Sequence, residues 1–126
     1  LFWIVFFGML PLRSVAFPVR HHLVAEGHQL LDFDLSVERI RAGKATADDM
    51  GVPFVINART DGFYRGGDEN SFNETVKRSN AYFEAGASCV FIPFLRDIDL
   101  IVRLVEAIKG PINILARASS PSVPKL

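Results

Sequence analysis

The chain is short of cysteine, and its one thiol, Cys89, excludes an internal disulfide framework among its 126 residues. Cys89 lies inside an apolar run, where it reads as a small buried hydrophobe, and this usage fits a reducing, cytoplasmic compartment. Net charge is missing as well: fourteen basic and fourteen acidic residues cancel, with no long run of one sign. Neither nucleic acid nor an acidic membrane surface is then an expected partner, while a small molecule remains open. Also absent is an apolar stretch of the ~20 residues that a membrane-spanning helix needs. The nearest approach, LFWIVFFGMLPL, carries Pro11 near its end and gives way at Arg13. It lacks the leading basic residues of a signal peptide. Truncation of a longer protein, or an unrelated leader, is the plainer expectation; a membrane anchor on a soluble fragment is the other reading.

Length sets a further bound. One domain is the most that 126 residues can form, and a (β/α)8 barrel usually needs roughly 250. Residues 11–33 hold two prolines and all three histidines without sustained periodicity, so they read as irregular with at most one short helix. His21, His22 and His28 form a poor metal set, because adjacent side chains diverge on a helix or strand.

From Asp34 the chain becomes orderly. DLSVERIRAGKATADDMG predicts a helix with possible caps at Asp34 and Ser36, a face of Val37, Ile40, Lys44 and Ala47, and an end at Gly51. PFVINA predicts a strand buried on both faces. SFNETVKRSNAYFEAGA predicts a second helix, with Ser71 and Glu74 at capping-box spacing and Phe72, Val76, Ser79 and Phe83 inward. CVFIPF predicts a second strand. RDIDLIVRLVEAIKG then predicts a helix capped by Asp97, with Ile98, Ile101, Val102, Val105 and Ile108 in the core, and PINILA a third strand. This alternation predicts α/β architecture with about three parallel strands. Strand spacing suits either a barrel segment or a doubly wound sheet.

In parallel α/β folds, ligands bind at the carboxyl ends of the strands. The run FVINARTDGF places Asn57, Arg59, Thr60 and Asp61 at such an end. Arg59 can hold a carboxylate or phosphate through two parallel charge-assisted hydrogen bonds. Thr60 and Asp61 could orient that arginine, bind a substrate hydroxyl or help hold a metal-bound water. The competing reading is an Arg-Asp pair that closes the rim structurally.

FVINARTDGF, then AYFEAGASCVFIPF, then GPINILARASSPSV together resemble the isocitrate lyase and phosphoenolpyruvate mutase superfamily, most closely its phosphomutase and methylisocitrate lyase-like members. The resemblance covers roughly residues 34–126 and implies a fragment of a (β/α)8 TIM barrel, preceded by a divergent or irregular leader over 1–33. It implies Mg2+, a small 2-oxo or enol carboxylate substrate, an enolate-like intermediate and a tendency to assemble as tetramers. By the same likeness Arg59 grips the substrate carboxylate, Asn113 contacts substrate, and Ile114 and Leu115 contribute backbone.

Several positions depart from the family pattern. Residues 1–33 show no recognisable metal ligands, and Asp32 and Asp34 flank a helix start instead of ending strands. Phe94 stands where Gly or Glu is frequent, Ser88 where an acidic residue follows AGA, and Arg117, Ala118 and Ser119 where a glycine-rich turn is usual. These changes are expected to alter the pocket. The isolated chain, with raw sheet edges and no metal ligands, is expected to aggregate and to be inactive. A noncatalytic α/β remnant with a binding or assembly role is the alternative.

Overall fold

The computed structural model describes residues 30–64 and 66–115, together with the backbone of Val15–Val19. The leader's apolar block, the three histidines and Arg117, Ala118 and Ser119 lie outside the described residues. The elements in chain order are β1 (Val15–Val19), α1 (Phe33–Asp49), β2 (Phe54–Arg59), α2 (Glu69–Glu84), β3 (Cys89–Ile92), α3 (Ile98–Ala107) and β4 (Ile112–Ile114). β2, β3 and β4 are the three strands expected from the sequence. β1 is an addition, and it corrects the irregular reading over residues 15–19. Pro18 hides it from a propensity argument, because proline lacks the N–H that an interior strand needs. An edge position tolerates that loss.

All described strands are parallel and stand in the order β1-β2-β3-β4. Right-handed crossovers between strands laid down in one direction put every helix on the same face. A doubly wound sheet would need the order to reverse, so the topology selects the barrel-type arrangement that spacing alone left open. Packing agrees: Ile56 and Ala58 of β2 and Val90 and Ile92 of β3 share one core with Ile40, Phe72, Tyr82, Ile101 and Leu104 from the three helices. Side chains alternate along a strand, so Asn57 and Arg59 point to the opposite face.

The helix boundaries correct three details. Asp32, two residues ahead of the expected Asp34, caps α1 by accepting from the Leu35 N–H at 3.0 Å. Asp68 caps α2 through the Ser71 N–H at 2.8 Å, and Glu74 is drawn instead to Arg78 Nε at 2.6 Å. Asp97 caps α3 as expected, accepting from the Asp99 and Leu100 N–H groups. In α3, Val102 and Val105 are 49% and 57% exposed, whereas Leu104 is fully buried. Asp99, Arg103 and Glu106 form one charged stripe at i, i+4 and i+7, and the buried arc of Ile101, Leu104 and Ile108 lies opposite it.

The buried arc of α2 runs through Phe72, Thr75, Arg78, Ser79 and Tyr82; Val76 and Phe83 are only half-buried. Arg78 explains the rotation. Its guanidinium reaches across to Ser36 Oγ of α1 at 3.3 Å while holding Glu74. Burial alone would pull its pKa down, but hydrogen bonds with Tyr82 and Glu74 outweigh that and hold it above the ordinary arginine value. A charge paired in this way can sit in a helix interface that a period of 3.6 would assign to apolar residues.

Among the described residues, no helix is long and apolar enough to cross a membrane.

Candidate functional site

The polar end of β2 is held by the sheet itself. The Thr60 N–H donates to Phe91 O at 3.0 Å, carrying the pairing with β3 one residue beyond Arg59. The chain then turns, with the Tyr64 N–H donating to Asp61 O at 2.9 Å. This turn presses Gly62 onto α2 and buries Thr60 and Asp61, at 2% and 4% exposure. Arg59 stays at the rim with its side chain 28% exposed.

Asp61 meets that guanidinium directly. Arg59 Nε and Nη2 approach Asp61 Oδ1 at 2.8 Å and 2.7 Å, and the guanidinium carbon lies 5.9 Å from the centre of the Phe91 ring. A buried carboxylate and an aromatic face therefore fix the arginine from two sides. Asp61 thus makes the contact with the arginine that an orienting role needs. Thr60 does not share it: its Oγ1 is buried with no hydrogen-bond partner among the described residues.

On the same sheet face the register sets Asn57 beside Cys89 one layer below, while Phe91 and Asn113 stand level with Arg59. The side chains converge. Cys89 Sγ donates to Asn57 Oδ1 at 3.3 Å, and Asn113 Nδ2 donates to Asn57 Oδ1 at 3.2 Å and to Cys89 Sγ at 3.4 Å. Asn57, Arg59 and Asn113, 56 residues apart in sequence at their widest, thus belong to one face. Ile114 faces the other way, packed against the helix-side core, and Leu115 is half-buried just past β4.

Cys89 was missed. It is half-exposed and hydrogen-bonded instead of being an inert buried hydrophobe. Desolvation pushes its thiol pKa up, and the hydrogen bond from Asn113 partly opposes that rise. An apolar run gives no hint of this, because only the pairing of three strands brings two amides to the sulfur. Ser88 needs the opposite correction. It accepts from the Ile56 N–H at 3.2 Å at the start of β3, the end remote from the rim, so it does not shape the pocket mouth. Phe94 does lie at the rim, with positive φ (68°) and its ring edge-on to Tyr64 at 5.3 Å.

The donor set argues against a metal on this face. Mg2+ favours oxygen ligands, especially carboxylates, whereas the face offers two amides, a thiol and a guanidinium whose adjacent carboxylate is already bonded to it. No group of three His, Cys, Asp or Glu side chains converges among the described residues. A separate cleft of about 660 Å³ beside the start of α2 shares Asp61 with the rim and is lined by both acidic and basic groups, including Glu74 and Lys77.

Comparison with known proteins gives this face a context. The profile of the phosphoenolpyruvate phosphomutase family matches residues 20–126. Among solved structures, a Burkholderia cenocepacia J2315 protein provisionally described as a phosphonomutase is 33% identical with a TM-score of 0.74, covering 89% of this chain and 44% of its own. A 2,3-dimethylmalate lyase of the PEP mutase/isocitrate lyase superfamily is 25% identical with a TM-score of 0.66, covering 89% and 38%. An oxaloacetate acetylhydrolase bound to 3,3-difluorooxalacetate is 26% identical with a TM-score of 0.63, covering 78% and 33%. No curated protein sequence matches the chain. The chain spans less than half the length of each of these structures, and its sheet corresponds to part of a TIM-barrel-like fold. By the extent of the profile match, the chain belongs to the phosphoenolpyruvate phosphomutase family.

Proposed function

We propose that the face formed by Asn57, Arg59 and Asn113 is the carboxylate-gripping part of a lyase or phosphomutase site for small 2-oxo or enol carboxylates. The observation that carries this reading is Arg59 itself, at the end of a parallel strand, partly exposed and braced by a buried carboxylate. Bracing by Asp61 limits the rotamer freedom that arginine would otherwise lose on binding, so its remaining N–H groups are preorganised for an incoming anion. In an enolate-forming reaction this guanidinium would hold the substrate carboxylate and offset negative charge on the reacting part. Asn113 would fix the orientation of the same ligand. Ile114 and Leu115 would contribute backbone groups only, in keeping with the helix-side packing of Ile114.

The Mg2+ implied by the family does not fit the described residues, so no step is derived through it. The corresponding proposal is that this chain binds carboxylates but does not turn them over by itself. Calorimetry with oxalate and with oxaloacetate tests the grip. Arg59→Ala should weaken binding by about 1.5–3 kcal/mol, the usual worth of a charged hydrogen-bond set, and Arg59→Lys should restore only part. Equal binding by the wild-type protein and Arg59→Ala would leave the second reading, a noncatalytic module. That reading draws on the Arg59–Asp61 pair, which is compatible with a purely structural link. Turnover of oxaloacetate or phosphonopyruvate by the purified chain, dependent on Mg2+, would refute the inactivity.

A further inference from the structure

Cys89 lies at the floor of the proposed site, on the same face as Arg59 and one side-chain layer below it. Two residues along a strand separate Asn57 from Arg59, a rise of about 6.6 Å, which is the span of a small dicarboxylate. The hydrogen bonds at this floor have a definite sense. Asn113 Nδ2 carries two N–H groups, and its two acceptors are Asn57 Oδ1 and Cys89 Sγ. Asn57 Oδ1 has two lone pairs, and it accepts from Cys89 Sγ and from Asn113 Nδ2. Both ends of the shared contact are therefore spent inside the triad. What each amide has left to offer a ligand is its other end: the carbonyl oxygen of Asn113 and the amino group of Asn57.

We infer that Cys89 is a positioning residue whose thiol, by donating to one amide and accepting from the other, fixes both amides so that the floor presents one acceptor beside one donor. A hydroxyl matches that pair, since it donates one hydrogen bond and accepts another. A methylene makes neither. A ligand gripped at Arg59 should then be favoured when it carries a hydroxyl about one layer deeper, as in a hydroxydicarboxylate. Without the sulfur, the Asn113 amide can turn over and the floor loses its fixed polarity. The inference rests on Arg59 being the carboxylate grip, and the test separates the two.

Calorimetric titration of the full chain with malate and with succinate, which differ by the hydroxyl, reads the floor directly. Wild-type protein should bind malate about tenfold more tightly than succinate, the factor expected from one net hydrogen bond. Cys89→Ala should bring the two affinities within about twofold by weakening malate alone, whereas Cys89→Ser, which can still donate and accept, should keep most of the preference. Thermal melts of both variants establish that they are folded. Binding that depends on Arg59 but shows the same malate preference in Cys89→Ala overturns the role of Cys89 and leaves the grip standing. Binding of both acids that is indifferent to Arg59→Ala, or no binding of either, overturns the grip and the inference with it. A general loss of affinity for both acids in Cys89→Ala also overturns it, because a merely structural residue would act that way.

Discussion

Gly62 offers the sharpest test of how the loop after β2 is held. A Cβ at this position would lie 2.1 Å from Thr75 Oγ1 and 3.4 Å from both Thr75 Cβ and Ser71 O. The glycine is needed for space, because its φ is not among the positive values found at Gly51, Gly66 and Gly86. Thr75 cannot easily yield: it is fully buried, and a β-branched residue in a helix has few χ1 choices. Gly62→Ala must then lift the loop or shift α2, at the roughly 1–3 kcal/mol typical of overpacking. Loss of glycine's freedom in the unfolded chain returns about 0.4–1 kcal/mol. A contact as short as 2.1 Å makes the steric side win, for a net loss of about 1–2 kcal/mol in urea unfolding. The clash is specific to one oxygen, so Thr75→Ala should relieve it. In that background the cost of Gly62→Ala should fall by about 1 kcal/mol, a coupling of the size seen for contacting residues. Carboxylate affinity should follow the same cycle, because Gly62 directly follows Asp61. Equal destabilisation with and without the threonine hydroxyl would refute the reasoning, as would no destabilisation at all.

Other consequences can be measured on the same protein. The Cys89 thiol, pushed above the ordinary 9.0 by desolvation, should alkylate slowly near neutral pH, with a rate profile that turns upward only beyond that value. Asn113→Ala should move the inflection higher still. Because the folded thiol holds its proton more tightly than the unfolded one, its stabilising effect is complete below the unfolded pKa and fades as pH rises through the folded one. Asp68 has the opposite sign: hydrogen bonds from the Ser71 side chain and backbone lower its pKa from 3.8, so its contribution is present above that value and lost as pH falls through the lower folded pKa. Asp68→Asn, which still caps, should flatten the acid limb of a stability profile, and an unchanged limb would exclude the cap as its source. In α3, Leu104→Ala should cost about 2–5 kcal/mol while Val105→Ala stays within about 0.5 kcal/mol. Similar losses in urea melts would contradict the orientation of that helix.

Much of the architecture was legible because it rests on local rules. Alternating apolar runs and helical periods marked three strands and three helices, and Asp97 announced the start of α3. What failed did so for identifiable reasons. Asp32 and Asp68 were passed over because several acceptors near a helix start satisfy the same spacing rule, and only backbone geometry selects one. The inward arc of α2 was misjudged because Arg78 is buried by its partners on another helix, which a one-helix pattern does not contain. β1 was concealed by Pro18 and by the absence of alternation around it.

The site divides along the same line. Sequence alone determined that a polar cluster ends a buried strand, and resemblance assigned Arg59 and Asn113 their expected roles. Only the tertiary structure decided that Asp61 braces Arg59, that Ser88 lies at the far end of β3, and that Cys89 joins Asn57 to Asn113. The physical reason is register. Which face a residue occupies follows from period-two alternation along its own strand, but which residues meet across strands depends on how the strands slide past one another. That offset is set by packing of the whole sheet against its helices and is written in no single segment.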